Sequence, residues 1–139
     1  MQQFILNRTT GFIYSTAPSP MSVAAAAQAW RMVPTLAVQR RQVFAMADLL
    51  RQLLRARGIT VMGDGTNIVP VCLGDESGTL ALKQALLDEG MMVSAIRPPT
   101  VPTGTSRLRI AINALHDSDS VHQLAQAIVR HVSRPATGC

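Results

Sequence analysis

The residue best suited to chemistry in this sequence is Arg109, the second arginine of the Arg-Leu-Arg run at 107–109. After Gly104 the residues alternate between two faces, which predicts a β-strand with Leu108, Ile110 and Ile112 toward a core and with Arg107, Arg109, Ala111 and Asn113 on the other side. A planar guanidinium held on a strand can form two parallel hydrogen bonds to a carboxylate or phosphate. Solvated arginines on an edge strand give the same pattern, so spacing leaves both interpretations open.

Three prolines stiffen the segment that leads into this strand, residues 96–105. Proline fixes φ and lacks a backbone N–H, so an extended loop is predicted there rather than helix interior. Thr100 lies in this loop, where its hydroxyl is available to a ligand or to a local turn hydrogen bond. A rigid loop that feeds a strand would hold Arg109 at a fixed place.

The elements around this strand alternate between strand and helix patterns. Apolar runs bounded by Gly, Pro and Asp predict short strands over residues 59–62, 68–73, 91–96 and 107–113. Apolar residues at helical spacing predict helices over 79–87 and 118–132. Together these segments predict an α/β domain in which a small sheet is covered by helices on one face.

The first part of the chain has a different pattern. Residues 10–16 are rich in β-branched and aromatic side chains, which predicts a short strand. Two helices are predicted next, over 21–32 and 36–56, with a break at Pro34. The second has one apolar stripe, and Arg51 lies outside it.

Composition excludes several classes of function. The net charge is +5, yet the twelve arginines and one lysine are spread along the chain, without the aromatic interleaving of a nucleic-acid surface. The two cysteines do not make a disulfide framework, and no apolar run is long enough to span a membrane. The three histidines have no metal-like spacing, so no metal site is expected. A cytoplasmic location is expected.

Three runs of residues carry a family resemblance: FIYSTAPSP at 12–20, PVCLGD at 70–75 and IRPPTVPTGTSRLRI at 96–110. In this order they resemble the C-terminal part of the α-oxoamine synthases, a family of fold-type I pyridoxal-phosphate enzymes. The double proline after Arg97 is most similar to the branch that acts in biotin synthesis. The resemblance implies a dimeric transferase that condenses an amino acid such as L-alanine with an acyl-CoA thioester and releases carbon dioxide.

This resemblance also implies a domain plan. Residues 1–20 would be the remnant of a large domain that binds pyridoxal phosphate, including the strand over 10–16. Residues 21–57 would be connecting helices, and 58–139 the small C-terminal α/β domain of fold-type I transferases.

Individual roles follow from the same resemblance. Arg109 matches the residue that binds the α-carboxylate of the amino acid, and Thr100 matches a position that lines the substrate site. Ser15 and Thr16 match hydroxyl positions that reach the cofactor phosphate of a neighbouring subunit. Relatives usually have two consecutive prolines where this chain has Ser19 before Pro20, which leaves the path of that loop open.

The lysine that carries the cofactor in this family has no counterpart here. The one lysine, Lys83, lies in a predicted helix and outside the family motif. The resemblance therefore implies that catalysis needs a complementary chain that binds the cofactor. Two alternatives stay open: a non-catalytic interaction or regulatory domain that binds a partner or itself, and an α-oxoamine synthase of another specificity.

Overall fold

The computed structural model describes residues 1–132, apart from the side chain of Phe12. The chain divides into two compact units, one formed by Met1–Ala37 and the other beginning at Val38. Residues 133–139 of the predicted C-terminal domain lie outside the described range. Within that range, no helix is both long and apolar enough to cross a membrane.

The first unit is helical. Its elements in chain order are α1 (Gln2–Leu6), α2 (Thr10–Ile13), α3 (Pro20–Met32) and a 3₁₀ turn (Val33–Thr35). Pro20 lies at the start of α3, where its missing N–H leaves no hydrogen bond unmade. Pro34 lies in the 3₁₀ turn, which confirms the predicted break. No residue of α3 is buried.

The predicted strand over residues 10–16 is wrong, because this segment begins with helix α2. A strand must exchange backbone hydrogen bonds with another strand, and the described residues of the first unit contain none. A helical turn pairs within itself: the N–H of Ile13 donates to Thr9 at 3.0 Å, and that of Tyr14 to Thr10 at 3.2 Å. Local pairing therefore overrides the strand propensity of the β-branched residues.

Helix α4 spans Ala37–Arg55 and confirms the helix predicted over 36–56. Its apolar stripe is fully buried at Ala47, Leu50 and Leu54, which join the core of the second unit. The expectation that Arg51 lies outside the buried side is wrong, since only 2% of this residue is exposed. The plan of a remnant over 1–20 and a connector over 21–57 stays a prediction.

The second unit contains a sheet and two further helices. Its elements are β1 (Ile68–Gly74), α5 (Glu76–Asp88), β2 (Ser94–Ile96), β3 (Ser106–Ala111) and α6 (Ser118–His131). Within the described residues the strand order is β1-β3-β2, and both pairings are antiparallel. The strands predicted over 68–73, 91–96 and 107–113 are confirmed, with shorter limits for the last two.

Two local outcomes differ from the sequence expectation. Helix α5 starts a turn earlier than predicted because the Asp75 carboxylate accepts the backbone N–H of Gly78 at 2.6 Å and caps the helix. The strand expected over 59–62 is reduced to one isolated bridge, in which Val61 lies opposite Val71. Gly63 follows with φ of 63°, so the chain turns away before a ladder can extend.

One face of the sheet forms the core. Val69 lies opposite Ile110 and Val71 opposite Leu108, and all four side chains are buried. Leu50 of α4, Leu86 of α5 and Ile128 of α6 belong to the same apolar cluster. The α/β architecture predicted from the sequence, a small sheet covered by helices on one face, is thus confirmed.

The other face of the sheet is called the open face here. Alternation of side chains places on it the residues Pro70, Cys72, Ser94, Ile96, Arg107, Arg109 and Ala111. Arg109, Ser94 and Ala111 are exposed on this face and Arg107 is half-buried, whereas Cys72 is buried. The open face therefore carries the candidate site.

Candidate functional site

Arg109 lies on the central strand of the sheet. It is opposite Pro70 on β1 and opposite Ser94 on β2. Its sequence neighbours Leu108 and Ile110 are buried in the core, so the backbone that carries Arg109 is held from the far side of the sheet. The side chain is exposed, as the alternation predicted.

The guanidinium of Arg109 has no partner among the described residues. Within residues 1–132 it forms no side-chain hydrogen bond and lies within 4.0 Å of no carboxylate. Other arginines of the second unit do pair with acidic side chains, as Arg97 does with Glu76 and Arg130 with Glu89. A guanidinium that has no partner and is carried by a fixed strand backbone is suited to bind a carboxylate from outside the chain.

The proline loop between β2 and β3 is folded by local hydrogen bonds. The backbone N–H of Thr100 donates to Arg97 at 3.0 Å, and Thr105 donates through its hydroxyl to Pro102 at 2.7 Å. Arg97 also joins the loop to the first turn of α5 through the Glu76 carboxylate at 2.7 Å. These contacts hold both ends of the loop.

Thr100 itself is exposed, and its hydroxyl forms no hydrogen bond within the described residues. The sequence left open whether the Thr100 hydroxyl forms a local turn hydrogen bond or binds a ligand. In the structure the turn hydrogen bond is formed by the backbone N–H of Thr100 and not by its hydroxyl. The hydroxyl is therefore available, and its role at a substrate site stays a prediction.

Ser15 and Thr16 lie in the first unit, after α2, and both are exposed. Ser15 already has an interaction partner. The structure thus groups Arg109 and Thr100 in one compact unit and Ser15 and Thr16 in the other. The cofactor-phosphate role of the two hydroxyls stays a prediction.

Lys83 does not fit covalent attachment of pyridoxal phosphate. It is half-buried on α5 and borders an open depression of about 410 Å³ whose other lining residues are Leu87, Met92, Val93, Ser94 and Ala95. None of Arg109, Ser15 and Thr16 lines that depression. A cofactor ring needs a partner for its nitrogen and phosphate, and this lining offers one hydroxyl and no carboxylate.

Two arginines form contacts that the sequence pattern did not predict. Arg51 is buried and donates to the carbonyls of Thr66 at 2.6 Å and Ile68 at 3.0 Å, which fixes the turn before β1. Arg107 donates from Nε to the carbonyl of Thr105 at 3.0 Å and contacts Sδ of Met62 through Nη1 at 3.1 Å. The alternation around 107–109 predicted that Arg107 shares a face with Arg109, and the strand register confirms it. Nothing local indicated the contacts of Arg107 with Met62 or the partners of Arg51.

Two carboxylates of the second unit with lowered pKa values, Asp75 and Glu89, lie at the two ends of helix α5. The pKa of Asp75 is lowered because the carboxylate accepts the backbone N–H of Gly78 and the hydroxyl of Ser77. The pKa of Glu89 is lowered by the hydrogen bond from His131 and by Arg130. Neither lies on the open face. Among the described residues, no three His, Cys, Asp or Glu side chains are grouped as metal ligands.

Comparison with known proteins decides the family. A model of the aminotransferases of class I and II matches residues 3–128. The chain belongs to this family. A provisionally named 8-amino-7-oxononanoate synthase from Magnetococcus marinus is 43% identical over 130 residues, which cover 94% of this chain and 33% of that relative. The 8-amino-7-oxononanoate synthase of Xylella fastidiosa is 38% identical over 135 residues, covering 97% and 34%.

Solved structures agree with the architecture. Serine palmitoyltransferase from Sphingomonas wittichii superposes with a TM-score of 0.84 at 26% identity and covers 94% of this chain and 33% of that protein. The 8-amino-7-oxononanoate synthase of Francisella tularensis gives 0.81 at 20% identity, covering 94% and 38%, a likeness of fold. The resemblance to α-oxoamine synthases and the fold-type I architecture are confirmed. This chain spans about one third of the length of these relatives.

Proposed function

We propose that this chain is the C-terminal portion of an α-oxoamine synthase similar to 8-amino-7-oxononanoate synthase, and that it supplies the carboxylate-binding arginine of the active site. The observation that carries the proposal is Arg109: it is fixed on the central strand, exposed, and unpaired within the described residues. The names of the relatives at 43% and 38% identity support the same assignment.

The role of Arg109 follows from its geometry. Two parallel N–H donors bind both oxygens of one carboxylate, which fixes the plane of that carboxylate and the direction of the bond to its α-carbon. In a decarboxylative condensation this is the bond that breaks, and its orientation determines whether electrons can be withdrawn from it. Arg109 would bind and orient the amino acid, with Thr100 beside the substrate on the proline loop. Pyridoxal phosphate supplies the electron sink when it is bound in such enzymes.

The full reaction proposed is the condensation of L-alanine with an acyl-CoA thioester in biotin synthesis, in a cytoplasmic dimer. Because no lysine of this chain fits the cofactor, we infer that catalysis requires a cofactor-binding part, and that Ser15 and Thr16 contact the cofactor phosphate only after assembly. A variant of this proposal is that the enzyme has the substrate specificity of another α-oxoamine synthase. The structural similarity to serine palmitoyltransferase, at 26% identity, supports this variant.

Complementation tests this proposal. The purified chain is mixed with pyridoxal phosphate, alone or with a polypeptide containing the part of the Xylella fastidiosa enzyme that this chain does not match, and an acyl-CoA thioester is added with or without L-alanine. We expect no stoichiometric lysine-bound absorbance band from the chain alone. We expect release of free CoA, dependent on L-alanine, from the mixture. A full lysine-bound band from the chain alone would show that the cofactor assignment is wrong, and an Arg109→Gln chain that restores full activity would exclude the clamp.

A second candidate function is a non-catalytic interaction domain derived from the same fold. It is supported by large apolar side chains in the first unit that are mostly exposed: Phe4 at 64%, Tyr14 at 84%, Met21 at 83% and Trp30 at 77%. Such a surface is typical of a protein interface. Sedimentation of the isolated chain, with and without the complementing polypeptide, separates self-association from binding to a cofactor-binding partner. An adjacent reading frame that encodes the cofactor lysine would favour the enzyme proposal over the interaction domain.

A further inference from the structure

The open face carries a second arginine, Arg107, whose charge has no counterion within the described residues. Arg51, Arg55, Arg97 and Arg130 each lie within 4.0 Å of a carboxylate. Arg107 contacts a carbonyl and a thioether instead, and neither carries a charge. It is also half-buried, so water screens its charge less than that of an exposed arginine.

Arg107 and Arg109 are two residues apart on one strand and therefore share a face. Their backbone positions are separated by about 7 Å along β3, from the rise of an antiparallel strand. Nε of Arg107 donates to the carbonyl of Thr105 and Nη1 contacts Sδ of Met62, which together orient this guanidinium, while Nη2 forms no hydrogen bond within the described residues. Among the described residues no carboxylate lies within 4.0 Å of either guanidinium. Two like charges at this spacing repel each other, and a ligand with two negative groups would remove that repulsion.

We propose that Arg107 and Arg109 together form a site for a dianion, with one carboxylate on each guanidinium. This inference rests on the proposed role of Arg109 and extends it, because it specifies a ligand class that a single carboxylate clamp does not. The ligand class is an extended dicarboxylate whose two groups are separated by about the strand spacing of the two arginines. Ser94, opposite Arg109, offers a hydroxyl to the carboxylate at that end.

The test uses the full chain labelled with ¹⁵N and follows the side-chain Nε–H signals of Arg107 and Arg109 by NMR at constant ionic strength. The probes are adipate and hexanoate, which have the same number of carbons and differ by one carboxylate. We expect hexanoate to shift the Arg109 signal. We expect adipate to shift both signals and to bind about fivefold more tightly, the upper range for one partly exposed ion pair.

Matched variants separate charge from structure. In Arg107→Gln the advantage of adipate should fall to about twofold, the statistical effect of two equivalent carboxylates. Arg107→Lys keeps the charge but not the planar fork, so the advantage should be retained. Arg41→Gln removes one exposed charge from α4 and should change nothing.

Equal affinities of adipate and hexanoate for the unmodified chain, or a full adipate advantage in Arg107→Gln, would overturn the dianion site and leave the clamp intact. If Arg107→Lys loses the advantage as completely as Arg107→Gln, Arg107 is a structural contact between residues 62 and 105 and the proposal fails. If hexanoate leaves the Arg109 signal unmoved, the carboxylate clamp of the proposed function fails first.

Discussion

Ser94 and Arg109 lie directly opposite each other in the register of β2 and β3, so a hydroxyl and a guanidinium emerge side by side on the open face. Directly opposed side chains in an antiparallel pair have Cβ atoms about 5 Å apart. A carboxylate bound by Arg109 would therefore lie within reach of the Ser94 hydroxyl.

Arg109→Gln removes the charge and the bidentate fork, while leaving the buried neighbours Leu108 and Ile110 in place. In the complemented enzyme we expect the KM for the amino acid to rise about 10- to 100-fold, the loss of a charge-assisted hydrogen-bonded pair. Steady-state kinetics at varied L-alanine measures this. Ser94→Ala should raise the same KM by a smaller factor, and Ser77→Ala, on α5, is the control. A normal KM in Arg109→Gln would contradict the clamp.

Arg51 is expected to be the most important polar residue for stability in the second unit. Arg51→Met removes donors to the Thr66 and Ile68 carbonyls and the ion pair with Asp48 at 2.7 Å. Because only 2% of Arg51 is exposed, we expect a loss of about 2–4 kcal/mol in the free energy of unfolding. Urea denaturation measures it.

The matched control for Arg51 is Arg55→Met, one turn along the same helix. Arg55 pairs with Asp64 at 3.0 Å, but 45% of its side chain is exposed. Its removal should cost under about 1 kcal/mol. Equal losses from the two substitutions would contradict the structural role assigned to Arg51.

Leu108 anchors β3 from the core side and so holds the backbone of Arg109. It is fully buried, and Leu108→Ala should lower the free energy of unfolding by about 2–5 kcal/mol through lost burial and the cavity left behind. Leu115→Ala is the control, since 92% of that side chain is exposed and its removal should change stability by less than about 0.5 kcal/mol. Thermal and urea unfolding of both variants give the comparison.

Asp75 should make stability depend on pH at the acid end. Its pKa is lowered from 3.8 in the folded chain, first by the N–H of Gly78 and then by the hydroxyl of Ser77. The folded form therefore binds the proton less readily than the unfolded form, so the cap stabilises the fold above pH 3.8 and is lost as the pH falls through the lower folded value.

Asp75→Asn tests whether the Asp75 carboxylate makes the stability fall with decreasing pH. An amide still accepts the Gly78 N–H, so the helix cap is kept while the titration is removed. We expect the unfolding midpoint of Asp75→Asn to fall less steeply with decreasing pH than that of the unmodified chain below pH 3.8. Asp119→Asn, in the first turn of α6, is the control. Parallel pH profiles for the unmodified chain and Asp75→Asn would contradict the assignment.

Strong local signals made most of the second unit predictable. Strict alternation placed Leu108 and Ile110 in the core and Arg109 on the opposite face, and the structure agrees. The Asp117 cap of α6 follows the same logic, since its carboxylate accepts the N–H of Ser120 at 2.8 Å. Such signals are reliable because each depends on backbone geometry within a few residues.

By itself the sequence determined the family motifs, the α/β order of elements and the position of Arg109 on the solvent side of a strand. Tertiary structure alone decided which side chains flank Arg109, because Pro70 and Ser94 come from strands far from it in the chain. It also decided the burial of Arg51, whose carbonyl partners are 15 and 17 residues away. The helix in place of a strand at residues 10–13 has the same cause: a strand depends on a partner that no local pattern can supply.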